Sequence, residues 1–259
     1  MFNITKNETL LNLVGGKKIA VVGPAPYLQG TNFGSFIDKY DIVCRINEII
    51  PPPSIRNDYG SRVDIFFSNF GTPHVEGIKK KINTYTDFYE NLKMVICPTI
   101  KAKHADTNFL QWKDDHISDV YKNMKELNYN NIPSHWIGVR DYKKLYGLIG
   151  AEPNAGVLAI MMLLSHEISE LYLTGFSFNL GGDTYDDVYY RGHLDDSYIV
   201  PSRVFGPYGG HGIDANLKQI QFFKWLCQNN PSESVIRIDS FLRDLISIDN
   251  ISSKVIINE

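Results

Sequence analysis

Short apolar runs rich in β-branched residues recur along the chain, bounded by polar or glycine-containing segments. Residues 18–23 (KIAVVG), 41–46 (DIVCRI), 63–67 (VDIFF), 93–97 (KMVIC), 170–174 (ELYLT) and 235–239 (VIRID) are continuous rather than alternating, the pattern of strands buried on both faces. Between them the apolar positions change to helical spacing, around 32–39, 108–127, 139–148, 156–166 and 214–227. In the last of these, Leu217, Ile220, Phe223, Trp225 and Leu226 are spaced for one apolar stripe. Strand alternating with helix predicts an α/β fold with a doubly wound, mostly parallel, Rossmann-like sheet. The stretch 179–210 breaks this rhythm. It is much longer than the usual connection, contains Gly181, Gly182, Gly192, Gly206, Gly209 and Gly210, and is dense in tyrosine and aspartate, so it predicts a lid or ligand-binding insertion.

Composition narrows the classes. The 259 residues, 43% hydrophobic and 21% charged, suit one globular domain spanning 1–259 with a core large enough to need neither disulfides nor a structural metal. Cys44, Cys97 and Cys227 are widely spaced and read as reduced, buried thiols. A net charge of −3 lacks the basic excess of a nucleic-acid binder, and the run Lys79, Lys80, Lys81 reads as a solvated face. The longest apolar stretch, Val157 to Leu164, falls far short of the ~20 residues that span a bilayer. The opening residues lack the features of a secretory signal, so the expected location is cytoplasmic, with peripheral membrane contact left open. The sequence contains neither an internal repeat nor a low-complexity tract.

In a doubly wound sheet, ligands bind outside the carboxyl ends of the strands, which directs attention to the residues after each run. Gly23 follows the first run, where a missing side chain lets the backbone approach a phosphate. The segment VVGPAP lacks the later glycines of GxGxxG, although Asp41 lies 18 positions beyond Gly23, about where a ribose-binding carboxylate would stand. An NAD(P)-dependent oxidoreductase, reading the ribose through Asp41 or Arg45, is therefore one alternative. Asn47 and Asn69 each follow a run and suit either ligand contact or a turn cap. Pro153-Asn154-Ala155-Gly156 opens an apolar helix and reads as an N-cap or a nucleotide site. His211, in GPYGGHGID, stands where a helix begins, with Asp214 as its candidate cap. A helix N-terminus disfavours the imidazolium, which suits a neutral general base. His74, His104, His116, His135 and His166 read as surface or capping positions, whereas His193 falls inside the insertion. Asp183, Asp186, Asp187, Asp195 and Asp196 read as solvated carboxylates, so no metal is expected.

Together these pieces resemble a sialyltransferase. Residues 21–48 (VVGPAPYLQGTNFGSFIDKYDIVCRINE) resemble the large sialylmotif of glycosyltransferase family 29 and the first βαβ unit of the bacterial family 42 enzymes. Residues 153–178 (PNAGVLAIMMLLSHEISELYLTGFSF) resemble the small sialylmotif, and residues 211–223 (HGIDANLKQIQFF) resemble the segment carrying the catalytic histidine. The resemblance covers Lys18 to about Asp239 and implies a variant GT-A sheet with 179–210 serving the acceptor side. It implies an inverting transfer of sialic acid, or a related acidic sugar such as Kdo, from a CMP donor to a hydroxyl of a glycan or glycolipid acceptor. No cofactor beyond the CMP-sugar co-substrate is implied. By the same resemblance Gly23 and Ala25 line the donor phosphate, Pro24 stands between them at a donor-contacting position, and Asn47 and Asn69 contact nucleotide and sugar. Asn154, Ala155 and Gly156 surround the donor, and Gly175, Phe176 and Ser177 hold the cytidine. His211 is the base, and Tyr185, 26 positions before it, supports the leaving phosphate, with His193 the counterpart of the family 29 histidine. Pro24 and Ala155 depart from the asparagine and hydroxyl residue usual there, as do Asn216 and Asn179 from a glutamate and a tyrosine, and the family 29 disulfide is absent. A non-catalytic CMP-binding or glycan-binding homologue is the second alternative.

Overall fold

The computed structural model describes residues 4–46, 51–68, 86–98, 122–123, 125–126, 131–178, 212–247 and 250–258. The strands are β1 (Lys18–Val22), β2 (Ile42–Ile46), β3 (Ile65–Phe67), β4 (Met94–Cys97), β5 (Ser134–Trp136), β6 (Glu170–Thr174), β7 (Val235–Asp239) and β8 (Val255–Asn258). They form one 8-stranded sheet in the order β5-β4-β3-β2-β1-β6-β7-β8. Every pair is parallel, so the doubly wound α/β expectation holds. Six strands match the apolar runs. Of the two edges, β5 carries no such run because an edge strand is not covered on both sides, and Ser134 and Trp136 are exposed; β8 carries a short one, Val255-Ile256-Ile257, that the reading of the sequence did not pick out, and its Ile256 is 39% exposed.

The helices are α1 (Glu8–Val14), α2 (Gly34–Ile37), α3 (Arg56–Tyr59), α4 (Thr86–Tyr89), α5 (Val139–Ile149), α6 (Ala155–Leu164), α7 (Gly212–Asn229) and α8 (Ser240–Ile246). One face of the sheet presents Ile19, Val21, Cys44, Leu171, Leu173 and Ile236 to α1, α5, α6, α7 and α8. At its centre α6 is buried from Gly156 to Leu163, which is why that stretch is apolar all round rather than striped. The other face holds a smaller cluster, with Ala20, Val22, Val43 and Tyr172 under Leu28, Ile37, Tyr40, Ile55 and Tyr59. Each fully buried Leu, Ile or Phe contributes about 1.5–3 kcal/mol, so the first face supplies most of the stabilisation.

The spacing in α7 predicted the stripe in part, since Ile220, Phe223 and Leu226 are buried. Leu217 and Trp225 are 42% and 39% exposed, whereas Asn216, Gln219, Phe223, Leu226 and Cys227 are buried. Two polar residues occupy the inner face because Gln219 has a partner there: its Oε1 accepts the Asn154 amide at 2.8 Å. The helix also starts before Asp214, which lies in its first turn instead of capping it. His166 is fully buried, not a surface position. Its Nδ1 lies 2.6 Å from the Met162 carbonyl and its Nε2 accepts the Asn7 amide at 3.0 Å, tying α1 to the end of α6. All three cysteines are buried thiols, and burial pushes the Cys44 thiol well up and that of Cys227 up to about 12. The predicted helix over 108–127 lies largely outside the described residues.

Candidate active site

β1 lies between β2 and β6, so the winding direction of the sheet reverses there. That point opens a crevice outside the carboxyl ends of β1 and β6. Two turns meet at it. Gly23 donates its amide to the Thr174 carbonyl at 2.9 Å, and Ala25 donates to the Gly175 carbonyl at 3.0 Å. The approach is so close that a Cβ on Gly23 would lie 2.2 Å from the Gly175 oxygen, and one on Gly175 would lie 2.2 Å from the Gly23 oxygen. Gly175 also has φ +76°, in the left-handed region that disfavours any side chain.

The second turn is held by a residue that the motif pattern did not single out. The Tyr27 hydroxyl accepts the amides of Gly175 at 2.6 Å and Phe176 at 3.2 Å, and donates to Asp239 Oδ2 at 2.7 Å. Its ring stacks on Phe241 at 3.8 Å. Asp239, 2% exposed at the end of β7, also caps α8 by accepting the Leu242 amide at 2.7 Å. Burial raises the Asp239 carboxyl above its ordinary value, although the Leu242 and Tyr27 bonds oppose it. Burial, followed by the charge and hydrogen bond of Asp239, raises the Tyr27 phenol well above its own, so Tyr27 keeps its proton. The tyrosine could have been noticed only by asking what accepts the amides of a left-handed turn.

Beside these turns stands the start of α6. The first amides of a helix have no partner within it. Asn154 Oδ1 accepts the Val157 amide at 2.8 Å, and the Asn154 amide goes to Gln219. The amides of Ala155 and Gly156 are left without an acceptor among the described residues. Gly156 is required by packing, since a Cβ there would lie 2.7 Å from the Phe176 ring. Phe176 continues through Phe178 at 6.3 Å to Phe223 of α7 at 5.4 Å, ring centre to ring centre. The crevice therefore joins two glycine turns, the amide end of α6 and, through Gln219 and Phe223, the helix that follows His211.

Of the residues expected at the site, Gly23, Pro24, Ala25, Asn154, Ala155, Gly156, Gly175, Phe176 and Ser177 are brought together around this crevice. Asn47, Asn69, Tyr185, His193, His211 and the insertion 179–210 lie outside the described residues. One chemical expectation changes. Amides near Gly23 were expected to meet a phosphate, but those of Gly23 and Ala25 are spent on the Thr174 and Gly175 carbonyls, and Pro24 has none. The first amides of α6 have no such partner among the described residues, a standard geometry for anions.

The dinucleotide alternative loses its residues. Asp41 precedes β2 and accepts the Lys18 amide at 2.9 Å, at the amino ends of the strands and away from the crevice. Arg45 is fully buried, bonded to the carbonyls of Arg62 at 2.9 Å and Tyr59 at 2.8 Å. Among the described residues no cluster of His, Cys, Asp and Glu is placed to hold a metal, and no helix is long and apolar enough to cross a membrane.

This sheet, with its switch-point crevice and the start of α6 beside it, defines a doubly wound α/β protein of the kind that takes its ligand at that point. The model of glycosyltransferase family 29 (sialyltransferase) matches residues 8–204, and the chain belongs to that family. The match stops short of His211. Solved structures share the fold at low identity. The monofunctional alpha-2,3-sialyltransferase Cst-I from Campylobacter jejuni is 16% identical with a TM-score of 0.56, over 92% of this chain and 81% of that one. The sialyltransferase CST-II in complex with a trisaccharide acceptor and CMP is 13% identical with a TM-score of 0.53, over 92% and 87%. An alpha-2,3-sialyltransferase from Campylobacter jejuni in apo form is 14% identical with a TM-score of 0.52, over 100% and 86%. No curated protein matches the sequence.

Proposed function

We propose that the protein transfers sialic acid, or a related acidic sugar such as Kdo, from a CMP donor to a glycan hydroxyl with inversion and without a metal. The observation that carries this reading is the pair of amides on Ala155 and Gly156 that have no acceptor among the described residues, at the crevice of a family 29 chain. A helix start favours an anion by about 0.3–1 kcal/mol when exposed and by more in a partly closed site, which suits the phosphate of CMP. CST-II has been solved with CMP and a trisaccharide acceptor on this same fold, which supports that donor and acceptor class.

In this mechanism the acceptor hydroxyl attacks the anomeric carbon while His211 takes its proton. The bond from that carbon to the CMP oxygen breaks, and CMP leaves with the electron pair. Tyr185 and His193, with the α6 amides, meet the charge that develops on the leaving phosphate. Asn47 and Asn69 contact nucleotide and sugar, and 179–210 serves the acceptor.

Calorimetric titration with CMP, followed by turnover of CMP-sialic acid and CMP-Kdo on glycan acceptors, tests the reading. CMP binds, one donor is consumed, and product anomeric configuration by NMR is inverted. EDTA leaves the rate unchanged, whereas loss in EDTA and recovery with manganese overturns the metal-free mechanism. His211→Ala lowers turnover by a factor on the order of 10²–10⁴ with the fold intact. CMP binding without transfer or donor hydrolysis identifies a non-catalytic homologue instead.

A further inference from the structure

Tyr27 and Asp239 have no part in the mechanism above, yet they hold its floor. A phenol has one proton to donate and two lone pairs to accept with. Because the Tyr27 proton goes to Asp239 Oδ2 at 2.7 Å, the accepting side of the oxygen faces the amides of Gly175 and Phe176. Stacking on Phe241 fixes the ring, and Asp239 is fixed in turn by capping α8 through its other oxygen. Three strand ends, those of β1, β6 and β7, are thus joined through one hydroxyl.

The held segment carries the donor side of the crevice. Gly175 is in the left-handed region, which a glycine adopts without strain but shares with many other conformations, so its hydrogen bonds and its packing on Gly23 select this one. Phe176 follows and lies against Gly156 so closely that a single methyl group would not fit between them. Rotation of the turn would therefore shift the start of α6, where the Ala155 and Gly156 amides stand.

We propose that Tyr27 and Asp239 are a positioning pair, which sets the height and orientation of the 175–177 turn and of the α6 amides for a cytidine phosphate donor. Neither residue need touch the donor. The inference rests on the reading of the crevice as a CMP site, and two substitutions test it. Tyr27→Phe keeps the ring and its stacking but removes the acceptor of two amides. Asp239→Asn keeps an oxygen to cap Leu242 but removes the carboxylate that orients the phenol.

The readouts are CMP affinity by calorimetry, steady-state KM and kcat for donor and acceptor, and amide exchange at Gly175 and Phe176. For Tyr27→Phe, CMP affinity falls and donor KM rises about tenfold, with kcat and acceptor KM within about twofold, and the two amides exchange faster. Asp239→Asn moves the same quantities in the same direction by about threefold. Wild-type CMP affinity and donor KM in both folded variants overturn the proposal, as does a parallel rise in donor and acceptor KM that follows lost thermal stability. A wild-type protein that binds no CMP overturns the CMP reading itself, whereas a CMP-binding wild type with unchanged variants overturns the positioning role alone.

Discussion

At the amino ends of the strands, charge closes the sheet. Glu170 accepts from Arg237 Nε at 3.0 Å and from the Tyr40 hydroxyl at 2.9 Å. Asp64 accepts the Val43 amide at 2.8 Å and is paired with Arg62 at 2.9 Å and Lys93 at 2.7 Å. At the carboxyl ends of β1 and β6, the contact is backbone on backbone between Gly23 and Gly175, braced by Tyr27. One end joins its elements with long ionic side chains that satisfy each other. The other omits side chains at the point of contact, so that main chain approaches main chain, and is braced from behind by the Tyr27 hydroxyl. The difference teaches where this fold tolerates change: the ionic end is a matter of stability, whereas at the glycine end the proposed donor site couples stability to ligand geometry.

Substitutions at the two ends should separate these properties. The largest effect belongs to Gly175→Ala, which places a methyl 2.2 Å from the Gly23 carbonyl at φ +76°. Urea denaturation should show a loss on the order of 3 kcal/mol. A loss below about 1 kcal/mol would mean that the two turns separate freely. Next, Glu170→Gln leaves Arg237 without its carboxylate and should cost about 2 kcal/mol in the same assay, with CMP affinity unchanged. A change in CMP affinity there would break the division between the ends. Asn154→Ala removes the cap on Val157 and should cost about 1 kcal/mol, and it should weaken CMP binding as well.

The smallest effect concerns pH at the amino end. Burial, with a further contribution from Lys6, lowers the His166 imidazole below its ordinary 6.5, although its bond to Met162 opposes this. A group with a depressed folded pKa binds protons more readily when unfolded, so its contribution is complete above 6.5 and is lost as pH falls below that value. Glu170 adds a lower step. Burial pushes its carboxyl up, but the bonds from Arg237 and Tyr40 outweigh burial, so its contribution is lost as pH falls below 4.5. His166→Gln should flatten the upper step by less than about 1.4 kcal/mol per pH unit and leave the lower one. An unchanged upper step would assign it to His135, which burial and His166 also depress.

The inner strands were legible because a strand covered on both faces is mostly apolar, and the runs at 18–23, 41–46, 170–174 and 235–239 are built around β-branched and other apolar residues, with the charged ones confined to positions that find partners. Ser134–Trp136 escaped notice because an edge strand has no such requirement, whereas Val255–Asn258 is a β-branched run that was legible and was passed over. In the site, the glycines and the PNAG turn were visible from their types and order. Which amides remain available was not, since that depends on pairings across 65 residues between Asn154 and Gln219 and 149 between Phe176 and Tyr27. The exposed Leu217 and Trp225 misled for the same reason: Gln219 is buried by one partner distant in sequence, which spacing does not register.

The three cysteines suggest a practical use. A thiol reagent attacks the thiolate, and Cys44, Cys97 and Cys227 are buried, two of them with ionisation pushed up by that burial. The native protein should therefore be nearly silent to maleimides. One cysteine added at an exposed position such as Lys39 would take a fluorophore alone, without first stripping the core of its sulfur.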